Sequence, residues 1–136
     1  MLARREHSRH ELSNKLLRRS YDPSIISPVL DALEAEGLLQ DGRFAEAYVA
    51  ARTARGFGPL RVRQELKQRG VCDELIDAYC NGKDPCWSEC ALNAWRKRFA
   101  NVPVDSFNAW AKQARYLQQR GFDASHINTA LGDYEE

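Results

Sequence analysis

Three stretches of the chain resemble one another at a spacing of about fifty residues, and that periodicity constrains the fold more than any other feature. Aligning Leu16, Leu66 and Leu117, at offsets of 50 and 51, brings Arg19, Arg69 and Arg120 together. Ser20, Gly70 and Gly121 then coincide, each followed by a bulky residue: Tyr21, Val71 and Phe122. Six residues further on, Ile26, Ile76 and Ile127 fall into register. Similarity at a fixed period signals an array of like supersecondary units, each too small to bury its own apolar face.

The units read as helices. Phe44, Tyr48 and Ala51 recur at i, i+4, i+7, with Asp41 before them as an N-cap. Gly56-Phe57-Gly58-Pro59 breaks that helix and starts the next, which turns Val62 and Leu66 inward and stops at Gly70. A third helix follows from about Asp73, with Leu75, Ile76 and Tyr79 apolar. Asp22-Pro23 opens the equivalent helix of the first repeat, which closes at Gly37. In the last repeat Leu92, Trp95 and Phe99 mark a first helix, residues 102–105 a turn, and Trp110, Ala114 and Leu117 a second helix. No run of β-branched residues alternates over five positions. The expectation is an all-α, elongated array of three tandem three-helix repeats. Its boundaries fall at 1–40, 41–83 and 84–136, and the first repeat lacks or shortens its first helix.

Charge follows the repeat. The net charge of +1 conceals segments of +4 (1–21), −5 (22–46), +5 (47–72), −4 (73–89), +5 (90–122) and −4 (123–136). Middle helices are basic and third helices acidic. A basic stripe attracts phosphate or an acidic protein surface, and an acidic stripe attracts basic patches. The competing reading is that opposite charges simply pair within the fold. Exposed pairs are worth only about 0–1 kcal/mol each, too little to explain such segregation.

The densest basic site is Arg52, Arg55, Arg61, Arg63, Lys67 and Arg69, on two helices flanking the turn that carries Phe57. Arg96-Lys97-Arg98 is a lesser cluster. These nine residues are the candidates for partner or DNA contact. The alternative is that Phe57 packs inside and the arginines are merely solvated. No cluster of Asn or Gln on a basic helix suggests base readout, so any DNA contact is expected to be non-specific.

The chain has three histidines and four cysteines. It carries none of the phosphate-loop, dinucleotide, zinc-protease or nucleophile-elbow motifs. Cys72, Cys80, Cys86 and Cys90 fit no common zinc spacing. No catalytic site, metal or cofactor is expected. No apolar run approaches the roughly 20 residues of a membrane span, and the N-terminus has no signal-peptide core, which points to the cytoplasm.

Two segments are recognisable. Residues 37–45, with Tyr48-Val49, lead into Arg55-Gly56-Phe57-Gly58-Pro59-Leu60-Arg61-Val62-Arg63-Gln64-Glu65-Leu66-Lys67-Gln68-Arg69-Gly70-Val71. That core strongly resembles the RecX family, bacterial regulators of the recombinase RecA. Residues 2–12 resemble the family's opening motif and residues 116–122 its closing repeat, so the likeness spans nearly the whole chain. It departs in starting at the opening motif, where members usually carry a further helix. The resemblance implies a non-enzymatic regulator that binds RecA and the RecA–ssDNA filament. Such a regulator restrains recombination, ATP hydrolysis and the co-protease activity behind the SOS response. Weak non-specific DNA binding and a monomeric state are also expected. The alternative is a non-specific DNA-binding array that affects RecA only by competing for DNA.

Overall fold

The structure, a computed structural model, describes residues 5–132. It contains helices α1 (Arg9–Arg18), α2 (Pro23–Ala35), α3 (Asp41–Ala54), α4 (Pro59–Gln68), α5 (Asp73–Tyr79), α6 (Cys86–Phe99), α7 (Phe107–Gln119) and α8 (Ala124–Leu131), with no strand among the described residues. None of these helices is long and apolar enough to cross a membrane.

The sequence repeat is a repeated chain reversal. At the ends of α1, α4 and α7, the N–H of Tyr21, Val71 and Phe122 donates to the carbonyl of Leu16, Leu66 and Leu117 at 3.2, 3.1 and 3.1 Å. The preceding N–H, of Ser20, Gly70 and Gly121, donates to Leu17, Lys67 and Gln118 at 3.0 Å each time. This is the Schellman arrangement, and the residue at its pivot needs positive φ. Ser20, Gly70 and Gly121 have φ of 67°, 79° and 102°, and Ser20 is the only non-glycine with positive φ.

The fold gathers into two compact units. One comprises the described residues up to Val49 with Glu65–Tyr79; the other comprises Ala50–Gln64 with the described residues from Cys80 on. In the first unit Leu12, Ile26, Leu30 and Leu39 form a buried cluster, with Leu16 and Leu33 packed against it. Phe44, Ala45, Leu66, Val71 and Ile76 are also buried there. Ser8 serves two helices at once. Its Oγ accepts from the Glu11 N–H at 3.0 Å in a capping box, and donates to the Arg69 carbonyl at 2.7 Å beyond the end of α4. Asp41, expected as the N-cap of α3, is instead the first residue of that helix. Its carboxylate accepts from the Arg9 N–H at 2.8 Å, and the Gln40 carbonyl starts α3. Ala51 and Tyr79, expected to face inward, are exposed; Ala45 fills the place on α3 that the i, i+7 spacing gave to Ala51.

The second unit buries Val62, Cys80, Trp87, Ala91, Ala94, Phe99, Leu117, Phe122 and Ile127. Its polar interior is satisfied. Trp95 Nε1 donates to Oε1 of the buried Gln113 at 2.7 Å, and Trp87 Nε1 to the Asn81 carbonyl at 2.9 Å. His126 closes the capping box of α8: its N–H donates to Asp123 at 2.9 Å, and its Nδ1 accepts from the Asp123 N–H at 3.2 Å. That leaves the ring proton on Nε2, which donates to the Gly82 carbonyl at 3.1 Å. His126 is thereby occupied as a structural residue.

Candidate partner-binding surface

In the second unit the turn between α3 and α4 lies against the turn that ends α7. The Gly58 N–H donates to the Arg120 carbonyl at 2.7 Å, and the Leu60 N–H to the Gly121 carbonyl at 2.9 Å. No side chain fits between the two backbones. A Cβ on Gly58 would lie 2.6 Å from the Gly121 carbonyl carbon, and one on Gly121 would lie 2.5 Å from Arg61 Cβ. The glycines that read as helix breakers in the sequence are therefore also close-approach residues.

This seam builds a cage of cations around Phe57, whose ring is 9% exposed. The guanidinium carbons of Arg52, Arg120 and Arg61 lie 3.8, 4.1 and 4.5 Å from the ring centroid. Arg120 Nη2 also donates to the Arg55 carbonyl at 2.8 Å, and Arg61 Nη1 to the Gln119 carbonyl at 3.3 Å. Each stacked guanidinium contributes roughly 0.5–1 kcal/mol at an exposed site. Phe57 does pack inside, but its arginines are held rather than simply solvated. Beside the cage, Gly56, Asn93, Arg96 and Lys97 help line a cavity of about 330 Å³. Arg96, Lys97 and Arg98 are exposed at the end of α6, with Arg98 5.3 Å from the Phe99 ring centroid.

The nine predicted residues thus divide. Arg52, Arg55 and Arg61 gather at the seam, and Arg96 and Lys97 line the neighbouring cavity. Arg63 donates to the Cys80 carbonyl at 2.8 Å, a backbone-bracing contact. Lys67 and Arg69 belong to the other unit. There Lys67 lies 3.8 Å from Asp73, and Arg69 lies 3.4 Å from Glu11 and 4.8 Å from the Tyr48 ring centroid. Sequence reasoning left Arg120 off the candidate list, although the repeat had aligned it with Arg69. The signal was present in that alignment; the nearness of Phe57, more than sixty residues away in sequence, was not. Some of the alternating charge does pair internally: Arg9 on α1 binds Asp31 at 2.9 Å and Glu34, both on α2.

The thiols are unbridged. Burial pushes the Cys80 thiol up to about 11. Burial, and then Asp84, push Cys86 up to about 11, and burial raises Cys90 as well. Among the described residues no group of three or more His, Cys, Asp or Glu side chains is placed to hold a metal ion.

Family models match the whole length in order: the first three-helix domain of RecX over residues 1–33, the second over 41–79 and the third over 88–131. The regulatory protein RecX of Halorhodospira halophila is 47% identical over all of this chain and 84% of its own length. That of Pseudomonas fluorescens is 41% identical over 96% of this chain and 84% of its own. The crystal structure of RecX from Lactobacillus salivarius superposes with a TM-score of 0.72 at 21% identity, covering 95% of this chain and 86% of that one.

Proposed function

This chain belongs to the RecX family of regulatory proteins, and we propose on that footing that it acts on the recombinase RecA. In this reading it binds RecA and the RecA–ssDNA filament and lowers their recombinase, ATPase and co-protease activities, with no catalysis of its own. Recombination, DNA repair and the SOS response are thereby restrained. The observation that carries the reading is the match of all three RecX domains, in order and with full coverage. The seam gives it a physical route. Two turns brought together by backbone hydrogen bonds fix a set of arginines in place, so little side-chain entropy remains to be lost when an anionic surface arrives.

The test is RecA ATPase on single-stranded DNA, titrated with this protein. Loss of activity at levels far below the number of DNA sites is the expected result. Loss only when DNA is saturated would replace filament regulation with simple competition for DNA. A variant probes the surface: Arg55→Glu, Arg96→Glu and Lys97→Glu together. All three side chains are exposed, so each change costs within about 0.5 kcal/mol of stability. The variant should keep its helical circular dichroism and inhibit RecA poorly. A folded variant that inhibits normally would remove this surface from the mechanism.

A further inference from the structure

Between the start of α1 and the end of α4, within the first unit, lies a cavity of about 360 Å³. Four cations line it: Arg5, Lys15, Arg18 and Arg69. The one carboxylate there, Glu11, is already engaged by Arg5 at 3.2 Å, by Arg69 at 3.4 Å and by the Ser8 N–H at 3.3 Å. Lys15 and Arg18 form no ion pair among the described residues, so a positive excess faces the cavity.

Two buried polar atoms at this cavity lack hydrogen-bond partners: Nδ1 of His7 and Nε of Arg69. His7 is 3% exposed. A buried polar atom left unpaired costs about 1–3 kcal/mol, which an oxygen-rich ligand would recover. His10 is held in place. Its ring has Asn14 Nδ2 3.1 Å from Nε2, and its Cβ lies only 2.4 Å from where a Cβ on Gly70 would stand. No Phe, Tyr or Trp lines the cavity, so a nucleobase would find no aromatic platform. What the lining can read is a compact, multiply charged oxyanion.

We propose that this cavity is a binding site for a phosphate group, held by Arg5, Lys15, Arg18 and Arg69 with His7 donating a further hydrogen bond. The phosphate is either a free one or a phosphodiester of a nucleic-acid backbone. The site does not depend on the RecA reading, and its test needs no RecA.

The chain's three histidines make the experiment direct. Their ring nitrogens are followed by NMR on the full chain while sodium pyrophosphate, and separately an oligo-dT strand, is added at constant ionic strength. The His7 and His10 resonances should move and those of His126, locked on the Gly82 carbonyl in the other unit, should not. The variant Lys15→Gln with Arg18→Gln, changed only outside the buried core, should keep the unliganded spectrum. It should weaken binding roughly tenfold, as the loss of charge-assisted contacts implies. Oligo-dT that moves the same resonances and is displaced by pyrophosphate identifies the backbone as the source; pyrophosphate acting alone identifies free phosphate. Resonances of His7 and His10 that stay fixed under both anions, that move equally with sodium chloride, or that respond unchanged in the variant would overturn the site.

Discussion

Three glycine-to-alanine variants separate backbone strain from close approach at the seam. Gly56 has φ of +85°, and a Cβ there meets only the mobile end of Arg120 at 3.4 Å. Gly56→Ala therefore pays for left-handed backbone alone, about 1–2 kcal/mol, less the stabilisation that alanine gains from a stiffer unfolded chain. Gly58 needs no positive φ, but its Cβ would lie 2.6 Å from the Gly121 carbonyl carbon and oxygen and 2.7 Å from the Phe122 nitrogen. These are backbone atoms that cannot swing away. Gly58→Ala must open the seam and release two hydrogen bonds of 2.7 and 2.9 Å, a loss of about 0.5–1.5 kcal/mol each before any packing is counted. Gly121→Ala carries both penalties, with φ of +102° and a Cβ 2.7 Å from the Arg61 nitrogen. The expected order of destabilisation is Gly56 < Gly58 < Gly121, with Gly121→Ala costing at least about 3 kcal/mol. Urea unfolding followed by tryptophan fluorescence reads it, because Trp87, Trp95 and Trp110 all lie in the unit that holds the seam. A Gly121→Ala variant within about 1 kcal/mol of the parent would show that the two turns are not locked together.

Ser20 occupies a glycine's backbone geometry at φ 67°, so Ser20→Gly should stabilise the protein by about 0.5–1 kcal/mol in urea; a loss of stability would refute the strain. Burial and then Arg5 hold the His7 pKa below its ordinary value, Lys15 also lowers it, and Glu11 opposes them. The unfolded chain then takes up a proton near pH 6.5 that the folded chain refuses, so stability falls as pH drops below about 6.5, by at most about 1.4 kcal/mol per pH unit. His7→Gln should flatten that dependence in phosphate-free buffer, and an unchanged slope would assign it elsewhere. Iodoacetamide at pH 8 should label the exposed Cys72 first and the buried Cys80 last, as read by mass spectrometry; equal rates would mean the Cys80 region opens freely.

Much of this fold was legible because local chemistry and the global repeat agree. The register Leu16, Leu66, Leu117 is the register of one hydrogen bond made three times, and the side chains that follow it are those that a chain reversal requires. Fine facing was less legible. A 3.6-residue period places Ala45 and Ala51 within a turn's drift of each other, and only packing decides which is covered. Asp41 shows a different limit. Its carboxylate looks like a cap for its own helix, yet it serves the Arg9 N–H, thirty-two residues earlier. The candidate site was legible as a concentration of charge but not as a geometry. Arg63 and Arg61 differ by two positions on α4, and one braces the Cys80 carbonyl while the other stacks on Phe57.

The aligned arginines explain why the basic charge is only partly available for binding. Arg69 lies against the Tyr48 ring at 4.8 Å and Arg120 against Phe57 at 4.1 Å, each immediately after a middle helix, whereas their counterpart Arg19 is exposed. In this family member the repeated arginine is first a structural element: a long cation beside the reversal, where it can stack on an aromatic and satisfy a carbonyl such as that of Arg55. Such an arginine cannot leave for a partner without loosening the turn that positions its neighbours. A partner that is anionic therefore meets two populations of charge. The stacked guanidiniums offer only an edge and set the shape of the surface, while Arg55, Arg96 and Lys97 on one unit, and Lys15 and Arg18 on the other, supply the exchangeable contacts. Neutralising the second population changes the salt slope on single-stranded DNA by about 0.7 per phosphate lost. Neutralising the first changes stability, and a binding defect seen there is secondary to it.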